Sequence, residues 1–154
     1  MEHHILSTKG AGRKYLVSKL IGDIIFAVIG FFFLSKVETL QNNWQFSLAE
    51  TASKSATVFF LLALLFATYH IMIATTVAEL YDDKIVGKGL QKIMLKDFHL
   101  RFEQITEIAT TKGVLMETAT CVFLAINTAS GEYKVLATPE AAAKIRDHFN
   151  ATRK

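Results

Sequence analysis

Two long apolar stretches constrain this chain more than anything else in it. The first runs from Leu20 to Val37, and its centre, Ile24-Ile25-Phe26-Ala27-Val28-Ile29-Gly30-Phe31-Phe32-Phe33-Leu34, has no polar side chain. The second runs from Ala56 to Ala78 around Val58-Phe59-Phe60-Leu61-Leu62-Ala63-Leu64-Leu65-Phe66-Ala67. Eighteen helical residues span about 27 Å, close to the roughly 30 Å of a bilayer's hydrocarbon core. As buried helices of a soluble protein, two such segments would need a large domain around them, and only about 75 residues follow the second. The expected architecture is therefore a membrane α-helical hairpin, with spans at 20–37 and 56–78 and an external loop at 38–55, followed by a small domain at 79–154. A cleaved leader fits poorly, because Leu34-Ser35-Lys36-Val37 offers no small-x-small site.

The formal charge of +3 is unevenly placed. Residues 1–19 carry Lys9, Arg13, Lys14 and Lys19 against Glu2 alone, whereas residues 79–154 hold 11 basic and 10 acidic side chains. A basic flank beside an apolar span orients the span and meets anionic headgroups, for which Lys9, Arg13 and Lys14 are the candidates. It is not the broad basic face that nucleic acid requires. Four Lys or Arg precede the first span, Lys36 and Lys54 lie between the spans, and Lys84, Lys88, Lys92 and Lys96 follow the second. That distribution predicts a multi-pass protein of the cell membrane with both termini cytoplasmic. Cys121 is the single cysteine, which excludes an internal disulfide and fits a reducing compartment. Beside Val122 and Phe123 it reads as a buried structural thiol.

Ionisable groups inside a bilayer are costly and call for partners. Two stand out, Asp23 and His70. At an advance of about 100° per residue, Ala63, Ala67, Ala74 and Ala78 fall at about 0°, 40°, 20° and 60°, and His70 at about −20°. On the first span Ala27 and Gly30 lie within about 40° of Asp23. Small-residue faces let helices approach closely, so these two faces are expected to meet. With the spans as drawn, Asp23 lies about 6 Å and His70 about 13 Å from the cytoplasmic end, so direct contact requires tilt or a shift in register. Without it, Asp23 is expected to pair with Lys19 and His70 to bond within the helix pair.

After residue 79 the apolar runs shorten and β-branched residues increase. Glu79–Tyr81 leads to a turn at Asp82-Asp83, then Lys84–Val86 and a break at Gly87-Lys88-Gly89. Further strands are predicted at 92–95, 105–111, 114–117, 121–127 and 133–137, the last two joined as a hairpin across Ala129-Ser130-Gly131. Thr138 followed by Pro139 starts a helix over 139–150, with Ala142, Ile145 and Phe149 on its apolar face. A meander of short strands closed by one helix suggests a bent antiparallel sheet or small barrel.

Three segments carry a family resemblance: Tyr81-Asp82-Asp83-Lys84-Ile85-Val86, Phe102-Glu103-Gln104-Ile105-Thr106-Glu107-Ile108, and Ala125-Ile126-Asn127-Thr128-Ala129-Ser130-Gly131-Glu132. Together they resemble the bacterial pleckstrin-homology-like (PH-like) domains that follow paired transmembrane helices. The resemblance covers residues 79–150 and the two-helix layout before them. It implies a non-catalytic domain that binds. Gly87-Lys88-Gly89-Leu90-Gln91 departs from the family's basic cluster after the second strand.

Catalytic patterns are missing. His99 and His148 have no Cys or carboxylate at metal-ligand spacing, and His3 and His4 sit together near the N-terminus. No P-loop, G-x-S-x-G, dinucleotide fingerprint or H-E-x-x-H occurs. No metal or cofactor is expected. The leading expectation is a membrane-tethered module for an unidentified protein partner or a second copy of itself. The alternatives are anionic-lipid recognition using Lys84 and Lys88 with Lys92 and Lys96, and a transport or channel subunit built on Asp23 and His70.

Overall fold

A computed structural model describes residues 3–111 and 120–153. The strand expected at 114–117 lies outside the described residues. The chain divides into two compact units, one of residues 17–70 and one that joins residues 1–16 to residues 71–154.

The hairpin unit is built from α1 (Ala11–Asn42) and α2 (Phe46–Ala74). Both are long and apolar enough to cross a membrane, and only 11% of each apolar window is buried. Ile24, Val28 and Phe31 on α1, and Leu61, Leu64 and Leu65 on α2, point outward and are exposed. Between the helices, Phe26 packs on Phe59 and Phe66, and Phe33 stacks on Phe59 with ring centres 5.7 Å apart.

The helices overrun the expected spans. The region 38–55 is not a loop: α1 continues to Asn42, α2 begins at Phe46, and only residues 43–45 connect them. Hydropathy marks where lipid ends, not where a helix ends. The polar stretches contain no Gly or Pro, and Lys54 meets Glu50 one turn away at 2.7 Å. The reversal is a Schellman motif. Gln45 N–H bonds to Leu40 C=O, Trp44 N–H bonds to Gln41 C=O, and Trp44 takes the left-handed position at φ 61°. At its other end α2 stops at Ala74, so Val77 and Ala78, expected in the second span, belong to a strand.

The second unit is a curled antiparallel sheet of seven strands closed by a C-terminal helix. The strands are β1 (His4–Ser7), β2 (Val77–Tyr81), β3 (Lys84–Gln91), β4 (Met94–Arg101), β5 (Ile105–Thr111), β6 (Val122–Thr128) and β7 (Gly131–Ala137). β4 pairs with β3 along its whole length. On the other edge of β3, β2 takes residues 85–88 and β7 takes Leu90, and the path runs on through β6 to β5. The expected break at Gly87-Lys88-Gly89 is continuous strand. Gly87 is required there because a Cβ would sit 2.0 Å from the Val77 carbonyl oxygen. The strand expected at 92–95 is instead the β3–β4 turn followed by the start of β4. The β6–β7 turn falls at Ala129-Ser130 as expected.

The N-terminal flank is more than a basic tail. β1 lies in the sheet beside β2, and residues 11–19 already belong to α1. The helix α3 (Pro139–Thr152) starts at Thr138, whose hydroxyl accepts from Ala141 N–H at 3.2 Å. Its buried stripe of Ala142, Ile145 and Phe149 packs on a core of Leu80, Ile85, Ile105, Leu124, Ile126 and Val135. Burying Ile145 and Phe149 stabilises the unit by roughly 1.5–3 kcal/mol each.

Two threonines tie the chain together where it leaves and enters the helices. Thr8 exchanges two bonds with Ala78: its N–H donates to Ala78 C=O, and its hydroxyl accepts from Ala78 N–H. The Thr76 hydroxyl donates to Ile73 C=O at 2.8 Å and accepts from Leu136 N–H at 2.9 Å. Thr76→Val removes both bonds and strands a buried N–H. It is expected to lower stability by about 1–3 kcal/mol, with Thr76→Ser recovering most of the loss, as measured by thermal unfolding in detergent.

Candidate functional site

The chain's two intramembrane ionisable candidates meet. Asp23 and His70 lie on facing sides of the hairpin, with Asp23 Oδ2 3.0 Å from His70 Nδ1. Their side chains are 8% and 13% exposed. That separation is within hydrogen-bonding distance of an imidazole nitrogen and a carboxylate oxygen. The His70 ring also stacks on Phe66, with centres 6.3 Å apart and planes 20° apart.

The mismatch in depth persists in the structure. Asp23 lies 12 residues, about 18 Å, into α1 and His70 lies four residues, about 6 Å, from the end of α2, so the two helices meet with the tilt or shift in register that direct contact requires.

Gly30 is buried at the same interface, but it faces the Phe60 ring, which a Cβ would meet at 3.1 Å. Glycine therefore seats an aromatic ring here rather than a second small residue. Ala63 and Ala67 are half-buried. Ala74 acts elsewhere: its carbonyl oxygen would lie 2.1 Å from a Cβ on Gly12, so the first turn of α1 crosses the last turn of α2 backbone to backbone. The most buried small residues of α2 are Ala49, Ala52 and Ala56, all within the expected loop or at its border. They fall at about 40°, −20° and 20° on the scale that places Ala63 at zero, so one alanine stripe runs the length of the helix. Continuing that stripe toward the N-terminus would have revealed the helix extension.

The lysine candidates separate. Lys9, Arg13 and Lys14 are exposed. Lys84 is only 8% exposed, with Nζ 5.4 Å from the centre of the Tyr81 ring, so it is not available to a headgroup. Lys88 is half-exposed and lies 4.0 Å from Asp97. Lys92 and Lys96 are exposed at and beside the β3–β4 turn. Cys121 is buried, as expected, and its thiol donates to Ala11 C=O at 3.5 Å. Among the described residues, no three His, Cys, Asp or Glu converge as a metal site.

In this sheet β4 is an edge. Among the described residues it bonds only to β3, and Lys96, Asp97, His99 and Arg101 are exposed along it. An eight-residue strand with one unpaired side can bond an added strand.

Family models, characterised proteins and solved structures were all compared with this chain, and none matches it.

The Asp23–His70 pair yields a test. Asp23→Leu or His70→Leu alone leaves one polar group in an apolar interface. Each is expected to destabilise the hairpin by about 0.5–2 kcal/mol, with the double substitution costing less than the sum. A double-mutant cycle of unfolding in detergent micelles measures that coupling.

Proposed function

We propose that this chain is a non-catalytic integral protein of the cell membrane whose sheet is a PH-like module, presented on the cytoplasmic side to a protein partner or to a second copy of itself. The observation that carries the reading is the shared sheet: β1 precedes the two apolar helices, β2 to β7 follow them, and β1 pairs with β2. A bilayer cannot divide a hydrogen-bonded sheet, so an even number of crossings is required, and two helices supply it. The lysine and arginine distribution favours the cytoplasm for that side. Two apolar helices followed by a curled antiparallel sheet with a C-terminal helix is also the layout that the PH-like resemblance implies.

The free side of β4 favours a protein occupant. An extended segment can add there through main-chain bonds, and Asp97, His99 and Arg101 stand beside it to select partners. The Asp23–His70 pair fits a packing role in the hairpin, because the two groups engage each other.

Two measurements test the proposal. Single cysteines introduced at Ile5, Asn43 and Asn150 of a Cys121→Ala chain are labelled in intact cells with a membrane-impermeant maleimide. Positions 5 and 150 are expected to be protected and position 43 labelled; opposite behaviour of 5 and 150 rejects the topology. A photo-crosslinking residue at His99 is expected to capture a discrete protein or a second copy in native membranes. A strictly monomeric chain with no adduct there rejects the binding edge.

A further inference from the structure

The β3–β4 turn exposes a pair of large apolar side chains that the core does not use. Ile93 is 76% and Met94 65% exposed, an unfavourable arrangement in water for two adjacent residues. Lys92, immediately before them, holds the left-handed conformation at φ 58°, where Gly or Asn would be unstrained. An apolar pair on a strained turn is the kind of outlier that points to a function.

The charges around the turn are not balanced. Glu132 is matched by Lys134 at 3.2 Å and Asp97 by Lys88 at 4.0 Å. Lys96 donates to the neutral Gln91 side chain at 2.7 Å, and neither Lys92 nor Lys96 has a carboxylate partner among the described residues. The turn therefore carries two uncompensated positive charges beside its apolar tip.

Strand register places this tip. Val77, three residues after the end of α2, pairs with Lys88. β3 runs antiparallel to β2 and continues to Gln91, so the turn extends about 10 Å back beyond the level of Val77. It extends opposite to the direction in which β2 runs from Val77. The β6–β7 turn lies beside it, since Leu90 pairs with Lys134 and Gln91 Nε2 reaches Ser130 C=O.

We propose that the β3–β4 turn is a membrane-surface contact in which Ile93 and Met94 enter the headgroup–acyl boundary of an anionic leaflet and Lys92 and Lys96 meet its headgroups. The inference rests on the membrane anchoring proposed above and adds a second, peripheral attachment to it. Apolar residues ringed by lysine match an anionic interface in both parts: the side chains leave water and the ammonium groups stay at headgroup depth.

The test uses the full chain, whose only tryptophan is Trp44. Trp44→Phe combined with Ile93→Trp reports on the turn, and Trp44→Phe combined with Phe32→Trp reports on the hairpin. Each is reconstituted into phosphatidylcholine vesicles with or without phosphatidylglycerol, containing acyl-brominated lipid as quencher. In anionic vesicles the residue-93 reporter is expected to shift to shorter wavelength and to be quenched at least about twofold, as for a side chain buried ~5–10 Å into the interface. Adding Lys92→Glu and Lys96→Glu, or omitting the anionic lipid, is expected to abolish most of that quenching while the residue-32 reporter stays quenched throughout. A residue-93 reporter that remains unquenched beside a quenched residue-32 reporter overturns the surface contact alone. Loss of quenching at both overturns the anchoring as well. Quenching at 93 that ignores both lipid charge and lysine reversal overturns the headgroup assignment. A reporter that stays wet in pure vesicles but is shielded in native membranes overturns the contact in favour of a protein.

Discussion

The structure depends on how little chain separates the helices from the sheet. Three residues, Thr8 to Gly10, join β1 to α1, and two, Thr75 and Thr76, join α2 to β2. With so short a connection, the carbonyls at the end of α2 must be satisfied where they stand. Thr76 does this for Ile73 and engages a sheet N–H with the same hydroxyl. Thr8 extends the β1–β2 pairing to Ala78, 70 residues away in sequence, through one backbone bond and one hydroxyl bond. Gly12 follows from the same constraint, because any side chain there would strike the Ala74 carbonyl. The Cys121 thiol completes the junction on Ala11. The N-terminal residues are thus part of the sheet's unit, not a tail that precedes a helix.

Within the hairpin, aromatic packing and the alanine stripe bring the helices together but discriminate weakly among registers, since lipid tails are as apolar as the side chains. A buried carboxylate and imidazole discriminate strongly. Sliding either helix by one turn separates Asp23 from His70 and leaves each to find another partner away from water. The Schellman reversal at Trp44 and the polar pair constrain the hairpin at different places along its length.

How far the chain was legible from its residues depends on the range of the interaction involved. The Thr138-Pro139 helix start, the Ala129-Ser130 turn and the burial of Cys121 are local or compositional, and they appear where expected. Helix ends were misplaced because hydropathy falls at residues 38 and 55 while helix propensity does not. β1 was missed because four residues carry too little pattern, and its partner lies more than 70 positions further on. Lys84 shows the same limit: its charge placed it among headgroup candidates, and only the fold puts it beneath Tyr81. The meeting of Asp23 with His70 was half visible, as matching faces without matching depth.

By itself, the sequence determined that there are two apolar helices, that each carries one ionisable residue on a face of small side chains, and that a strand-rich segment closed by an amphipathic helix follows them. These properties rest on composition and short-range periodicity. Only the tertiary structure decided where the helices end, which residues precede them into the sheet, that Asp23 and His70 are in contact, and that Ile93 and Met94 are left outside the core. Those outcomes come from hydrogen bonds and close approaches between distant parts of the chain, and they depend on register, which no local window of sequence contains.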